Sequence, residues 1–150
     1  MILLNNSSDI RSRWMEADFT SAMIVDDLRA PRLISEQAVR ALGLSPYFAE
    51  NGNDALRKLQ NNPTSVVITD IEMPNCSGLE LLQRLQRSRI SRLRKIPVIV
   101  VSSLSDRKTI SRVRRQRNAF YLPKPISITS LQLTLGVIAT SLWLRQRSAG

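Results

Sequence analysis

At 150 residues and 43% hydrophobic content the chain can bury a single core without disulfides, and it reads as one domain of ordinary size. Its one cysteine, Cys76, cannot form an internal bridge, so nothing points to an oxidising compartment and a cytoplasmic location is the default. The formal charge of +10 is concentrated: residues 84–117 hold 12 Lys or Arg against the single acid Asp106, a local +11, and the rest of the chain sums to −1. Such a segment suits an acidic partner (a protein face, nucleic acid or anionic lipid), or else it is a solvated surface with no specific partner. It contains no aromatic residue for base stacking, which argues against single-stranded nucleic acid. The start, MILLNNSSDIRSR, lacks the basic and apolar regions of a secretory signal. Near the other end LQLTLGVIATSLWL covers 14 residues where a membrane span needs ~20.

Apolar runs and helical periodicities alternate along the chain. Residues 22–25 (AMIV) form a short strand that ends in Asp26 and Asp27, and Pro31 suits the first turn of a helix over 32–42. That helix is predicted to turn Leu33, Ala38, Ala41 and Leu42 inward and to stop at Gly43. Residues 47–50 are a weak second strand, and NGNDALRKLQNN is a short helix with Asn at its start and a polar exit before Pro63. The third strand is 65–69 and the third helix 78–86, with Leu79, Leu82 and Leu85 at spacings of three. The fourth strand is 96–101 (IPVIVV), followed by a basic helix from 105 to about 117. A fifth strand at 119–122 leads through PKP to a final helix capped by Ser127 or Thr129. Five strands alternating with five helices require a parallel sheet with right-handed crossovers, a doubly wound α/β fold.

In such a sheet ligands sit beyond the carboxyl ends of the strands. Strand one ends in Asp26 and Asp27, strand four in Ser102 and Ser103, and strand five runs into Lys124. Strand three is the puzzle, because Val66, Val67 and Ile68 have the composition of a strand buried on both faces and an ionised carboxylate, Asp70, follows them. Asp70 sits either just past the strand or in a site built to hold negative charge. Three clustered carboxylates cannot all stay ionised without a cation, and a hard divalent ion with oxygen ligands, Mg²⁺ above all, would compensate them.

The acidic pair Asp26-Asp27, ITDIEMPNCSGLELL around Asp70, VVSS with Ser102, and FYLPKP with Lys124 and Pro125 together resemble the receiver domains of two-component response regulators, the CheY-like family. The intervals also suit it: 43 residues from Asp27 to Asp70, 32 more to Ser102 and 22 more to Lys124. The resemblance covers residues 20–147, leaves 1–19 as an N-terminal extension and leaves no effector domain. It implies a flavodoxin-like five-stranded sheet in the order 2-1-3-4-5. It also implies a Mg²⁺-dependent phosphoacceptor that loads and dephosphorylates itself, rather than a conventional enzyme. Asp70 would accept the phosphoryl group from a histidine kinase or phosphotransfer protein. Asp27, Asp70 and the backbone carbonyl of Glu72 would hold Mg²⁺ directly, with Asp26 acting through water. Ser102 would hydrogen-bond a phosphoryl oxygen, Lys124 would pair with it, and the Lys124-Pro125 bond would be cis.

Pro74 and Gly78 match the loop after the acceptor, where glycine allows tight or positive-φ geometry. Tyr121 takes the place of the switch aromatic, or is simply a half-buried strand tyrosine. Cys76, with no local histidine to activate it, is a spectator thiol. The Gly-Ala that commonly precedes the fifth strand is here Arg117-Asn118, which puts the switch geometry in question. For residues 1–19 a disordered arm is preferred to one stapled by Trp14, Met15 and Phe19.

The resemblance further implies output through the face of the fourth helix, fifth strand and fifth helix. Here that face is basic, with Arg107, Lys108, Arg112, Arg114 and Arg115, which suits an acidic protein target. The alternative is a basic module for nucleic acid or anionic membrane, gated by the receiver site. The final helix carries Leu131, Leu135, Ile138 and Leu142 on one face and Leu133, Val137, Trp143 and Leu144 beyond it. Homodimerisation through this output face is therefore a further expectation.

Overall fold

Parallel strands cannot be joined by tight turns, so each strand must be followed by a long return, and here the returns contain helices. The computed structural model describes residues 7–73, 75–103 and 106–148. In chain order the elements are α1 (Ser7–Glu16), β1 (Ser21–Val25), α2 (Arg29–Ala41), β2 (Ser45–Ala49), α3 (Gly52–Asn61), β3 (Val66–Asp70), α4 (Gly78–Gln86), α5 (Ser91–Arg94), β4 (Val98–Ser102), α6 (Arg107–Arg114), β5 (Ala119–Pro123) and α7 (Ile128–Ser148). The strands form one all-parallel sheet in the order β2-β1-β3-β4-β5. This is the doubly wound, flavodoxin-like order. The expected five helices are corrected to seven among the described residues: α1 precedes the first strand, and α5 is a single turn before β4. With four residues, α5 is too short to show a helical period, although its Leu93 is buried.

β1, β3 and β4 are buried along their whole length, which is why their sequences show no polar alternation. Successive side chains serve opposite faces of the sheet. Met23, Val25, Val67, Val98 and Val100 pack with Leu59 of α3, Leu81 and Leu85 of α4 and Val113 of α6. Ala22, Ile24, Val66, Ile68, Ile99 and Val101 pack with Val39 of α2 and Leu131 and Leu135 of α7.

Individual helix faces differ from the expectation. In α2 the buried set is Ser35, Ala38 and Val39 with Leu42 half-buried, whereas Leu33 and Ala41 are exposed. The inward positions 35, 38, 39 and 42 are the i, i+3, i+4, i+7 set, and 33 and 41 fall on the other side of the helix. In α4, Leu81 joins Leu82 and Leu85 inside, and Leu79 is half-buried. The basic helix is shorter than expected. α6 ends at Arg114 with Arg115 as its C-terminal cap, and Asp106 caps its other end by accepting the Thr109 N–H at 2.6 Å. Ser105, where the sequence starts this helix, lies outside the described residues, as does Pro74. Ser127 caps α7, accepting the Ser130 N–H at 3.0 Å. Leu131, Leu135 and Ile138 of α7 are core residues and are not available to a dimer, while Leu133, Val137 and Leu144 face solvent.

The N-terminal extension is not a disordered arm over its described part. Trp14 and Phe19 are buried in the core formed with α2 and α7, with ring centroids 5.6 Å apart in an edge-to-face arrangement. Met15, the third expected staple, is 67% exposed. On the outside, Glu16 Oε2 accepts the indole N–H of Trp143 at 3.0 Å, and the guanidinium groups of Arg13 and Arg147 lie 5.0 and 4.2 Å from the Trp143 ring centre. Trp14→Ala should therefore cost about 3 kcal/mol in urea denaturation, as large-to-small core changes do. Met15→Ala should stay within ~0.5 kcal/mol of wild type. Equal effects of the two substitutions would mean that α1 is not docked as described.

Candidate functional site

From β1 the chain crosses to β2 on one side and later returns to β3 on the other, so the carboxyl ends of β1 and β3 flank the reversal point of the sheet. Their register pairs Val25 with Thr69, which sets Asp26 and Asp70 level at the rim. Asp70 is itself the last residue of β3 and is 4% exposed. An isolated charge there would be costly. Lys124 Nζ donates to Asp70 Oδ2 at 2.9 Å, and the Glu72 backbone N–H donates to Oδ1 at 3.1 Å. Lys124 is set in place at the end of β5, where its own N–H donates to the Ser102 carbonyl at 2.9 Å, and the Lys124-Pro125 peptide is cis.

Burial works against the Lys124 ammonium, but the hydrogen bond and charge of Asp70, with Asp26 and Glu72 behind it, raise its pKa above 10.5. The Lys124 ammonium is therefore charged at neutral pH and gives up its proton only as pH rises through that raised value. Asp26 is buried, and its Oδ1 accepts the Leu28 N–H at 2.8 Å. Burial in the first place, then the charges of Asp70 and Asp27, push its carboxyl above the ordinary 3.8. Asp27 is exposed, yet one oxygen from each of the three aspartates falls within a 4.8 Å cluster.

Glu72 contributes more than its backbone. Its Oε1 accepts the Ser103 hydroxyl at 2.7 Å and lies 3.5 Å from the Ser102 Oγ. This contact spans 31 residues of sequence and had no signal there beyond two serines at the end of one strand and an acid past another. Beside the acidic rim an apolar cavity of about 420 Å³ opens, with Ile34, Ile68, Val101 and Ile126 among its walls and Asp26, Asp70 and Lys124 at its edge. Apolar walls lower the local dielectric and strengthen the charge interactions at that edge.

Gly78 opens α4 without a positive φ, and what it provides is close approach: a Cβ there would clash with the Asp70 backbone carbonyl. Positive φ falls instead on Asn75 (69°) in the same loop and on Asn118 (58°) in the turn before β5, a conformation that asparagine tolerates. Cys76 is buried against Gly52, and burial pushes its thiol pKa up, as befits an inert packing residue. Tyr121 is half-buried, with its hydroxyl 3.5 Å from the Ser102 carbonyl. Arg107, Lys108, Arg112, Arg114 and Arg115 are exposed on α6 and its cap and are not part of the acidic cluster.

The raised Asp26 pKa has a measurable sign. Between 3.8 and the higher native value the folded state binds more protons than the unfolded chain, so stability falls as pH rises through that window and stays reduced above it. Asp26→Asn removes this cost. In metal-free buffer the variant should melt above wild type at pH 7, and the gap should shrink as pH falls toward 3.8. Coincident melting curves across that range would show that Asp26 carries no such burden.

The family model of the response regulator receiver domain matches residues 22–135. Among curated proteins, the DNA-binding transcriptional regulator NtrC of Klebsiella pneumoniae is 36% identical over 107 residues, which is 71% of this chain and 22% of that protein. The gliding motility regulatory protein of Myxococcus xanthus is 37% identical over 83 residues, 55% of this chain and 10% of that protein. The chain thus spans about a fifth or less of the length of these relatives. Among solved structures, the chemotaxis response regulator CheY4 of Vibrio cholerae superposes with a TM-score of 0.72 at 22% identity, covering 80% of this chain and 98% of that one. A CheY-like receiver domain protein from Methanospirillum hungatei gives 0.73 at 20% identity, covering 83% and 96%. At these identities the likeness is one of fold. With the family model running from the first strand into the last helix, across every strand end that carries the acidic rim, the chain belongs to the response regulator receiver domains of two-component signalling.

Proposed function

We propose that Asp70 is the phosphoacceptor of a cytoplasmic phosphorelay. A carboxylate oxygen of Asp70 attacks the phosphorus of a phosphohistidine on a histidine kinase or phosphotransfer protein. An O–P bond forms, the P–N bond breaks with its electrons going to the imidazole, and an acyl phosphate remains on Asp70. The observation that carries this reading is the buried Asp70 carboxylate held by Lys124 at 2.9 Å beside Asp26 and Asp27 at the reversal point of the sheet. None of the 150 residues is a histidine, so the phosphohistidine lies outside them, or a small acyl phosphate takes its place and its carboxylate leaves in the same way.

Phosphoryl transfer needs in-line positioning and neutralisation of the phosphoryl oxygens more than covalent machinery. The Lys124 ammonium supplies one positive charge. The Ser102 hydroxyl supplies a donor once it turns from Glu72 toward the phosphoryl group. The all-oxygen donor set and the raised Asp26 carboxyl fit a hard divalent cation. Asp26, Asp27, Asp70 and the Glu72 carbonyl would hold Mg²⁺, which when bound neutralises charge on the transferring group.

The output is a shift between two states of the face built from α6, β5 and α7. Tyr121, with its hydroxyl near the Ser102 carbonyl, stands between the site and that face. A shallow groove of about 380 Å³ there is lined by Arg114, Tyr121, Leu133 and Val137. Apolar walls with a cation at the rim suit a target protein that offers apolar and acidic side chains together.

Incubation with acetyl phosphate and Mg²⁺ should add one phosphoryl group by intact mass, and Asp70→Asn or a chelator should abolish the gain. Lys124→Ala should slow loading by on the order of 100-fold, the scale for losing one charge-stabilising donor. Absence of both the adduct and a beryllofluoride complex would overturn the reading. Sedimentation of the beryllofluoride complex then separates a target-binding monomer from a homodimer through the same face.

A further inference from the structure

The cations of residues 84–117 do not share one environment. α6 lays Val113 on the sheet and, at ~100° per residue, distributes its other side chains over two flanks. Arg114 lines the groove beside β5 and α7. Lys108, Arg112 and Arg115, at i, i+4 and i+7, form a stripe on the opposite flank, and all three are exposed. The turn after α6 continues the stripe with exposed Arg117, whose carbonyl accepts the Gln86 side-chain amide at 2.8 Å and so draws the end of α4 alongside. Exposed Arg89 follows α4, and exposed Lys95 follows α5. None of these six takes part in an ion pair among the described residues. Neighbouring Arg92 and Arg94 instead donate to the backbone carbonyls of Leu59, Gln60 and Ser88, fixing the turn that presents Lys95.

We propose that this α4–α5–α6 surface binds the phosphate backbone of double-stranded nucleic acid. A protein partner would need an apolar or aromatic centre ringed by polar groups. Among the described residues of 84–117 the only exposed large apolar side chain is Ile90, and none is aromatic. Four of the six cations are arginines, whose planar forks match phosphate oxygens in pairs. Single strands find no aromatic platform here, whereas a duplex offers a charge every ~1.7 Å of its axis whatever the sequence. Lys95 and Arg117 precede β4 and β5, so this part of the surface lies toward the amino ends of the strands, whereas Asp70 closes the carboxyl end of β3. Asp70 pairs with Lys124, which is not one of the six, so duplex binding by the unphosphorylated chain does not draw on the Asp70 carboxylate.

The test is fluorescence anisotropy of the full chain with a labelled random duplex of ~20 base pairs at several salt concentrations, where log K should fall linearly with log salt. Arg112→Gln/Arg115→Gln should flatten that slope by about 1.8, from ~0.9 per phosphate released. Arg40→Gln/Arg145→Gln, which lowers the net charge equally on other elements, should leave the slope in place. Arg89→Gln/Lys95→Gln, on separate segments, should act like the α6 pair even if the α6 variant folds poorly. Asp70→Asn should bind as wild type does, so failure of the phosphoacceptor reading leaves this one standing. Equal slopes for the α6 and control pairs, or binding of poly-glutamate but not of the duplex, would overturn the proposal, and the second outcome would assign the surface to an acidic protein.

Discussion

A carboxylate that is 4% exposed at the end of a fully buried strand is tolerable only if a cation reaches it, and much of this fold can be understood as the means of bringing Lys124 to Asp70. The two residues are 54 positions apart. Crossovers through α4–α5 and α6 carry the chain from β3 to β4 and then to β5, and the last of these strands ends where its following residue can cross back over the rim. Close packing under the site serves the same end. Gly78 lets α4 begin against the Asp70 carbonyl, and the Lys124 N–H is tied to Ser102 on the neighbouring strand.

One ammonium does not balance the rim. Asp26 is buried beside Asp70 with its carboxyl held above the ordinary range, while Asp27 and Glu72 add further negative charge within reach. The Ser103 hydroxyl is engaged by Glu72, and Ser102 lies close to the same carboxylate, so the hydroxyls of this strand end face an internal anion. A site with this charge balance responds strongly to any added cation or transferred phosphoryl group, because each such arrival rearranges which donors meet which acceptors.

The exposed surface divides along α6. On one flank Arg114 meets apolar side chains of β5 and α7, a mixed surface of the kind proteins recognise. On the other, cations stand without ion-pair partners among the described residues, a surface whose main property is its field. Because one helix carries both, a change in its position would alter two surfaces of different chemistry at once.

Much of this was legible in the sequence. Continuous β-branched runs mark strands buried on both faces, and alternation with helices demands a parallel sheet. In a parallel sheet the strand ends must gather at one rim, so the positions of Asp26, Asp27, Asp70, Ser102 and Lys124 along the chain are enough to bring them together. What the sequence left open was decided by contacts between segments far apart along it. Leu33 points outward because the orientation of α2 is set by its packing on the sheet, and α1 docks because Trp14 and Phe19 find a space between α2 and α7 that exists only once those helices are in place. The Glu72–Ser103 bond, the cavity beside Asp70 and the split of the α6 cations belong to the same class. The sequence by itself determined the period and the polarity of each element, which are local properties of the chain. Their rotations and partners were decided by the tertiary structure, because the free energy of burying a side chain depends on which distant residue fills the space opposite.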